Sequence, residues 1–86
     1  MSKITIYTTK TCPYCRAAKS LLARKGAQYD EIDVSYDPDE RQRMTAKANG
    51  QRTVPQIFIG ETHVGGSDEL HELERYGRLD GLLTLS

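Results

Sequence analysis

Three things are scarce in this 86-residue chain: cysteine, an excess of charge of either sign, and long hydrophobic runs. Twelve Lys and Arg residues balance twelve Asp and Glu residues. A general nucleic-acid or membrane-surface binder needs a basic excess, so the balance argues against both. No stretch approaches the roughly 18 apolar residues of a membrane span. The opening Met-Ser-Lys-Ile-Thr-Ile-Tyr alternates and lacks the apolar run of a secretory signal. The chain is therefore expected to be cytosolic, complete and organised as one domain over residues 1–86.

There are only two cysteines, Cys12 and Cys15, with two residues between them. A structural disulfide here would close a very small loop and contribute little to stability, because loop-closure stabilisation grows with loop length. In a reducing compartment such a bridge would not persist. The pair is better explained by chemistry than by stapling.

What is present reads as closely spaced α/β elements. Residues 3–7 alternate as a strand. Pro13 suits the first position of a helix, Ala17, Ala18, Leu21 and Leu22 recur at helical spacing, and Gly26 stops it. Residues 29–34 form a second strand. Asp37 caps a second helix, with Pro38 first, Glu40 completing a variant capping box, and Met44 and Ala48 on its inner face. Asn49-Gly50 ends it. Residues 56–59 and 62–65 form a hairpin around Gly60-Glu61. Ser67 is read as the cap of a third helix, with Leu70 and Leu73 inward and Gly77 ending it. Asp80 starts a last short turn that packs Leu82 and Leu83. The order β-α-β-α-β-β-α fits an α/β fold, a four-stranded mixed sheet with helices on both faces. Tyr7, Tyr29, Tyr36 and Tyr76 are read as core or edge residues.

Cys12 lies just before the first turn of its helix. Its sulfur is expected to face unpaired N–H groups and the positive end of the helix dipole, which favour thiolate over thiol. Lys10 and Arg16 add positive charge. A more acidic thiol is also a weaker nucleophile, with a Brønsted slope of about 0.4–0.5. The larger benefit is therefore in departure: Cys12 leaves a mixed disulfide readily. Cys15 lies on the same helical face, further inside, and is expected to stay a buried thiol until Cys12 is engaged. This makes Cys12 the nucleophile and Cys15 the resolving thiol. A zinc site would need two more ligands. His63 and His71 are too widely spaced for the usual finger pair and fall on different elements.

Cys12-Pro13-Tyr14-Cys15, Thr53-Val54-Pro55 and Gly65-Gly66-Ser67-Asp68 resemble the three signature segments of dithiol glutaredoxins, in order and at family spacing. The resemblance spans essentially the whole chain, including Gln56-Ile57-Phe58-Ile59-Gly60, and is strongest to the small bacterial type. It implies a thioredoxin fold with Pro55 cis, placing Thr53 and Val54 beside Cys12. It implies a glutathione-dependent thiol–disulfide oxidoreductase with glutathione as co-substrate and no tightly bound cofactor or metal. Its partners would be disulfide-bearing or glutathionylated proteins, and it would act as a monomer. The family pattern puts the cysteinyl backbone of glutathione on Val54 as a form of strand addition. It puts the glycyl carboxylate on Lys10, with Gln42 or Arg52 as weaker candidates, and the glutamyl end on Ser67 and Asp68. Tyr14 would flank the sulfur. The start of the third helix independently suits a carboxylate, while Asp68 can accept from an ammonium.

Each of these residues also has a plain structural reading. Lys10 is a solvated loop charge, Tyr14 helix surface, Thr53 a turn-shaping residue, Ser67 a helix cap and Asp68 a complement to the helix dipole. Some small bacterial members carry an extra cysteine where this chain has Ser67. Oxidation is accordingly expected to yield only the Cys12–Cys15 bridge or Cys12 adducts. Two other readings stay open. One is an oxidoreductase reduced by a flavoprotein, which turnover with each electron source distinguishes. The other is an iron–sulfur carrier between two subunits, disfavoured by Pro13, and removed by a sample without visible-range absorption.

Overall fold

The computed structural model describes residues 3–84. The elements run β1 (Ile4–Thr8), α1 (Pro13–Arg24), β2 (Asp30–Asp33), α2 (Pro38–Lys47), β3 (Gln56–Ile59), β4 (Thr62–Gly65), α3 (Ser67–Arg75) and α4 (Leu79–Thr84). The four strands form one mixed sheet in the order β2-β1-β3-β4. β1 is parallel to β2 and antiparallel to β3, which is antiparallel to β4.

Strand alternation divides the apolar residues between the two faces. Ile4, Ile6, Ile57 and Ile59 bury one face against Ala18, Leu21 and Leu22 of α1, Leu70 of α3 and Leu79 of α4. Tyr7 turns to the other face with Val34 and Met44 of α2, and Ile32, Val54 and Phe58 pack around them. Ala48 is buried just beyond α2. The expected helix boundaries hold where caps are local. The Asp37 carboxylate accepts from the Glu40 N–H at 3.0 Å, and Asn49 and Gly50 both take positive φ.

Five expectations need adjusting. β1 ends on Thr8 rather than Tyr7, and β2 is shorter than residues 29–34, although the Val34 N–H still donates to the Thr8 carbonyl at 2.8 Å. Ser67 is not the cap of α3. Gly66 holds that position, and its N–H donates to the Glu69 carboxylate at 2.6 Å, so Ser67 is the first helical residue. The Glu half of a capping box thus works here without a capping hydroxyl. The last turn is a helix that begins at Leu79, whose fully buried side chain anchors it. Tyr36 and Tyr76 are exposed rather than core or edge residues.

Gly65 has φ +113°, and a Cβ there would sit 2.9 Å from Glu69 Oε1. A side chain at this position is therefore both strained and in collision with the carboxylate that caps α3. Gly65→Ala is expected to lower the unfolding free energy by more than about 1 kcal/mol in urea melts. An unchanged midpoint would refute this account of the β4–α3 junction.

Candidate active site

β1 carries the chain out of the sheet into a short polar loop that ends at Cys12. Cys12 is the N-cap of α1, with extended backbone at φ −102° and ψ 106°. Its sulfur accepts the Cys15 N–H at 3.1 Å. The position normally filled by a Ser, Asp or Asn oxygen is filled by sulfur. Pro13, next in line, has no N–H to leave unpaired. Negative charge on this sulfur is met by the helix dipole.

The two thiols are free and unlike. Cys12 is half-buried, whereas Cys15 is 1% exposed. Burial, and then a hydrogen bond with Cys12, push the Cys15 thiol up from the ordinary 9.0 to about 12. The backbone at Thr9 and then the charge of Lys19 pull the other way. Lys19 is itself paired with Glu31 at 3.0 Å, and the Thr8 hydroxyl donates to the same carboxylate at 2.7 Å. That hydroxyl, followed by Lys19, holds the Glu31 carboxyl below its ordinary range.

The Val54–Pro55 peptide bond is cis. The Cys12 thiol donates to the Val54 carbonyl at 3.6 Å. The Val54 N–H makes no hydrogen bond among the described residues. Pro55 is buried, and its carbonyl lies 3.5 Å from where a Cβ on Gly66 would stand. A short chain of contacts therefore joins Cys12, Val54, Pro55 and the start of α3. Ser67 is buried there, its hydroxyl 3.2 Å from His71 Nδ1, and Asp68 is exposed in the first turn. Thr53 is exposed, with its carbonyl and hydroxyl turned to Gln56.

Other sequence-derived candidates have looser placements. Tyr14 is exposed in the first turn of α1. The Lys10 N–H donates to the Ser35 hydroxyl at 2.8 Å, and its ammonium lies 5.0 Å above the Tyr36 ring. Gln42 is exposed on α2, and Arg52 is exposed in the loop. Arg41, which sequence reasoning passed over, donates to the Arg52 carbonyl at 3.0 Å and brings a guanidinium to the cis-proline loop. Nothing in the residue pattern distinguishes it from its helical neighbours. A cavity of about 740 Å³ opens beside Lys3, Ile4 and Tyr29, at the opposite end of β1 from Cys12.

Two neighbouring thiols that differ this much in exposure suit exchange with an outside disulfide, and the class is that of thioredoxin-like thiol–disulfide oxidoreductases. The glutaredoxin family model matches residues 4–64. A glutaredoxin of Pseudomonas aeruginosa is 56% identical over 84 residues, covering 98% of this chain and 99% of that protein. Glutaredoxin 3 of Escherichia coli is 46% identical, covering 96% and 99%. Among solved structures, the buckwheat glutaredoxin–glutathione complex superposes with a TM-score of 0.86 at 35% identity, over 96% of this chain and 77% of that one. The solution structure of the Brucella melitensis glutaredoxin superposes with a TM-score of 0.85 at 54% identity, over 96% and 89%. The chain belongs to the glutaredoxin family.

The acidity of Cys15 sets an alkaline limit on stability. Below about pH 9 the native and unfolded chains both hold the proton, and pH has no effect through this group. Between about 9 and 12 the unfolded chain sheds it while the native site keeps it, so stability falls. In reduced protein, stability measured from pH 9 to 11 is expected to drop faster than in Cys15→Ser, by roughly 1.4 kcal/mol per pH unit. Parallel pH profiles for the two proteins would contradict it.

Proposed function

We propose that this chain is a glutathione-dependent oxidoreductase that reduces protein disulfides and glutathione mixed disulfides. The observation that carries the reading is the Cys12 sulfur, which caps α1 and faces Val54 across the cis-proline turn. The glutathione bound to the buckwheat relative supports the choice of co-substrate.

Cys12 is the nucleophile. Its thiolate attacks the glutathione sulfur of a glutathionylated protein. The old S–S bond breaks, a Cys12–glutathione disulfide forms, and the protein leaves as a thiolate that takes up a proton. A second glutathione thiolate then attacks the glutathione sulfur of that adduct, giving glutathione disulfide and free Cys12. With a protein disulfide, Cys12 forms a mixed disulfide with one sulfur. Cys15 then loses its proton and attacks Cys12 Sγ. The Cys12–Cys15 bond closes and the protein leaves as a dithiol. Two glutathiones reopen that bond in turn. The raised pKa of Cys15 keeps its thiol protonated and out of the first step.

Glutathione lies along residues 53–55 in this reading. Its cysteinyl backbone pairs with Val54, whose N–H is available, and Thr53 and Pro55 shape that edge. Its glutamyl carboxylate meets the first-turn N–H groups of α3 at Ser67 and Asp68, and Asp68 accepts from its ammonium. Lys10 takes the glycyl carboxylate, with Gln42 and Arg52 as secondary candidates, and Tyr14 flanks the sulfur. No helix among the described residues is long and apolar enough to cross a membrane. The reading takes residues 1–86 as one domain, acting as a cytosolic monomer on the reduced glutathione pool.

Replacing each cysteine separately tests the division of roles. Cys12→Ser is expected to abolish both activities. Cys15→Ser is expected to retain removal of glutathione from a glutathionylated peptide and to lose protein-disulfide reduction. The paired assays check this directly, and residual activity in Cys12→Ser would reverse the assignment.

A further inference from the structure

Gln56 opens β3 immediately after the cis-peptide proline, and its polar side chain is 0% exposed. Burying an amide is unfavourable unless both its ends are hydrogen-bonded. Here both are. Nε2 donates to the Thr53 carbonyl at 3.0 Å and lies 3.2 Å from both Thr53 Oγ1 and Gln51 Oε1. The amide nitrogen is thus turned toward the loop, and Oε1 faces the other way. His63 Nε2 lies 2.7 Å from that oxygen. A carbonyl oxygen only accepts, so His63 carries a proton on Nε2.

The histidine is held in its own right. Its ring stacks on Phe58 at 5.0 Å and 28°, and Phe58 meets Tyr7 edge-on at 5.8 Å in the core of the α2 face. The contacts run without a gap from Phe58 through His63, Gln56 and Thr53 to Val54, whose carbonyl receives the Cys12 thiol.

We propose that His63 and Gln56 are positioning residues for glutathione. His63 fixes the direction of the Gln56 amide, and Gln56 holds Thr53 so that the Val54 backbone stays open beside Cys12. The inference rests on the reading that residues 53–55 bind glutathione. Neither side chain touches the reacting sulfur. Their loss therefore weakens glutathione recognition without altering the thiol chemistry.

His63→Phe preserves a flat ring over Phe58 and removes only the donor. His63→Gln replaces the ring and restores an N–H of similar reach. With a glutathionylated peptide, His63→Phe is expected to raise KM about five- to tenfold, with kcat within about twofold of wild type, because Gln56 Oε1 is left unpaired and its amide is free to turn. His63→Gln is expected to stay within about twofold of the wild-type KM. The rate of Cys12 alkylation by iodoacetamide is expected to be the same in all three proteins, which separates a positioned loop from a damaged site. A wild-type KM in His63→Phe overturns the inference, as does a His63→Gln variant as impaired as His63→Phe. If the wild-type protein does not turn over the peptide at all, the glutathione reading fails first and the inference falls with it.

Discussion

The hydrogen bond from the Cys15 N–H to the Cys12 sulfur is the contact on which the rest of the site depends. A helix start leaves donors that must be satisfied, and side-chain oxygens usually do it. In this chain the reactive atom does it. Its position is therefore fixed by everything that fixes α1. Ala18, Leu21 and Leu22 press that helix onto Ile4 and Ile6 of β1, and the loop between the two elements is only four residues long, 9–12. Lys25 closes the far end of α1 through ion pairs to Glu74 at 2.9 Å and Asp80 at 2.7 Å. The core and the reactive sulfur share one set of restraints, so the site needs little deep concavity. The large cavity at the other end of β1 is consistent with that separation.

The second thiol gains its character from depth. One helical turn moves it from the half-exposed rim to a position that is 1% exposed. At neutral pH burial keeps the proton on it, and the neutral thiol keeps the buried site uncharged. The same local sequence thus produces an outer sulfur suited to accept and release a partner and an inner one held in reserve. The charge of Lys19, which is itself bonded to Glu31, acts against the rise in pKa but is the smallest of the influences on Cys15.

Much of this was legible in the sequence wherever the cause was local. Pro13 and Pro38 marked helix starts, Asp37 capped α2, and the strands alternated, because each signal acts within a few residues. The two cysteines were legible as unequal partners because helical position alone separates their depths. The start of α3 was misread because Ser67 looked like a cap, while the atom that matters, the Glu69 carboxylate, reaches back to Gly66. Gly65 with its positive φ makes room for it. Leu79 was overlooked because a six-residue helix has too few positions to display a period, and its burial comes from joining the core cluster of β1, α1, β3 and α3. Arg41, Gln56 and His63 were illegible for a further reason. Arg41 reaches the Arg52 carbonyl in the loop and His63 reaches Gln56 from the neighbouring strand, contacts that the fold creates, and the three-residue return of Gln56 to Thr53 follows no helix or strand period.

Strand alternation explains why the buried amide of Gln56 sits where it does. β3 sends Ile57 and Ile59 to the α1 face, while Gln56 and Phe58 face α2. Gln56 is paired directly with Tyr7, so an apolar residue could continue the core without difficulty. An amide there breaks the pattern of the strand and must be matched on every side to be tolerated. Its partners are the loop that faces Cys12 and a histidine on the neighbouring strand. One face of the sheet, built on Ile4, Ile6, Ile57 and Ile59, holds the helix that carries the thiols. The other face gives up apolar burial at one position, and what it gains is a hold on the cis-proline loop opposite them.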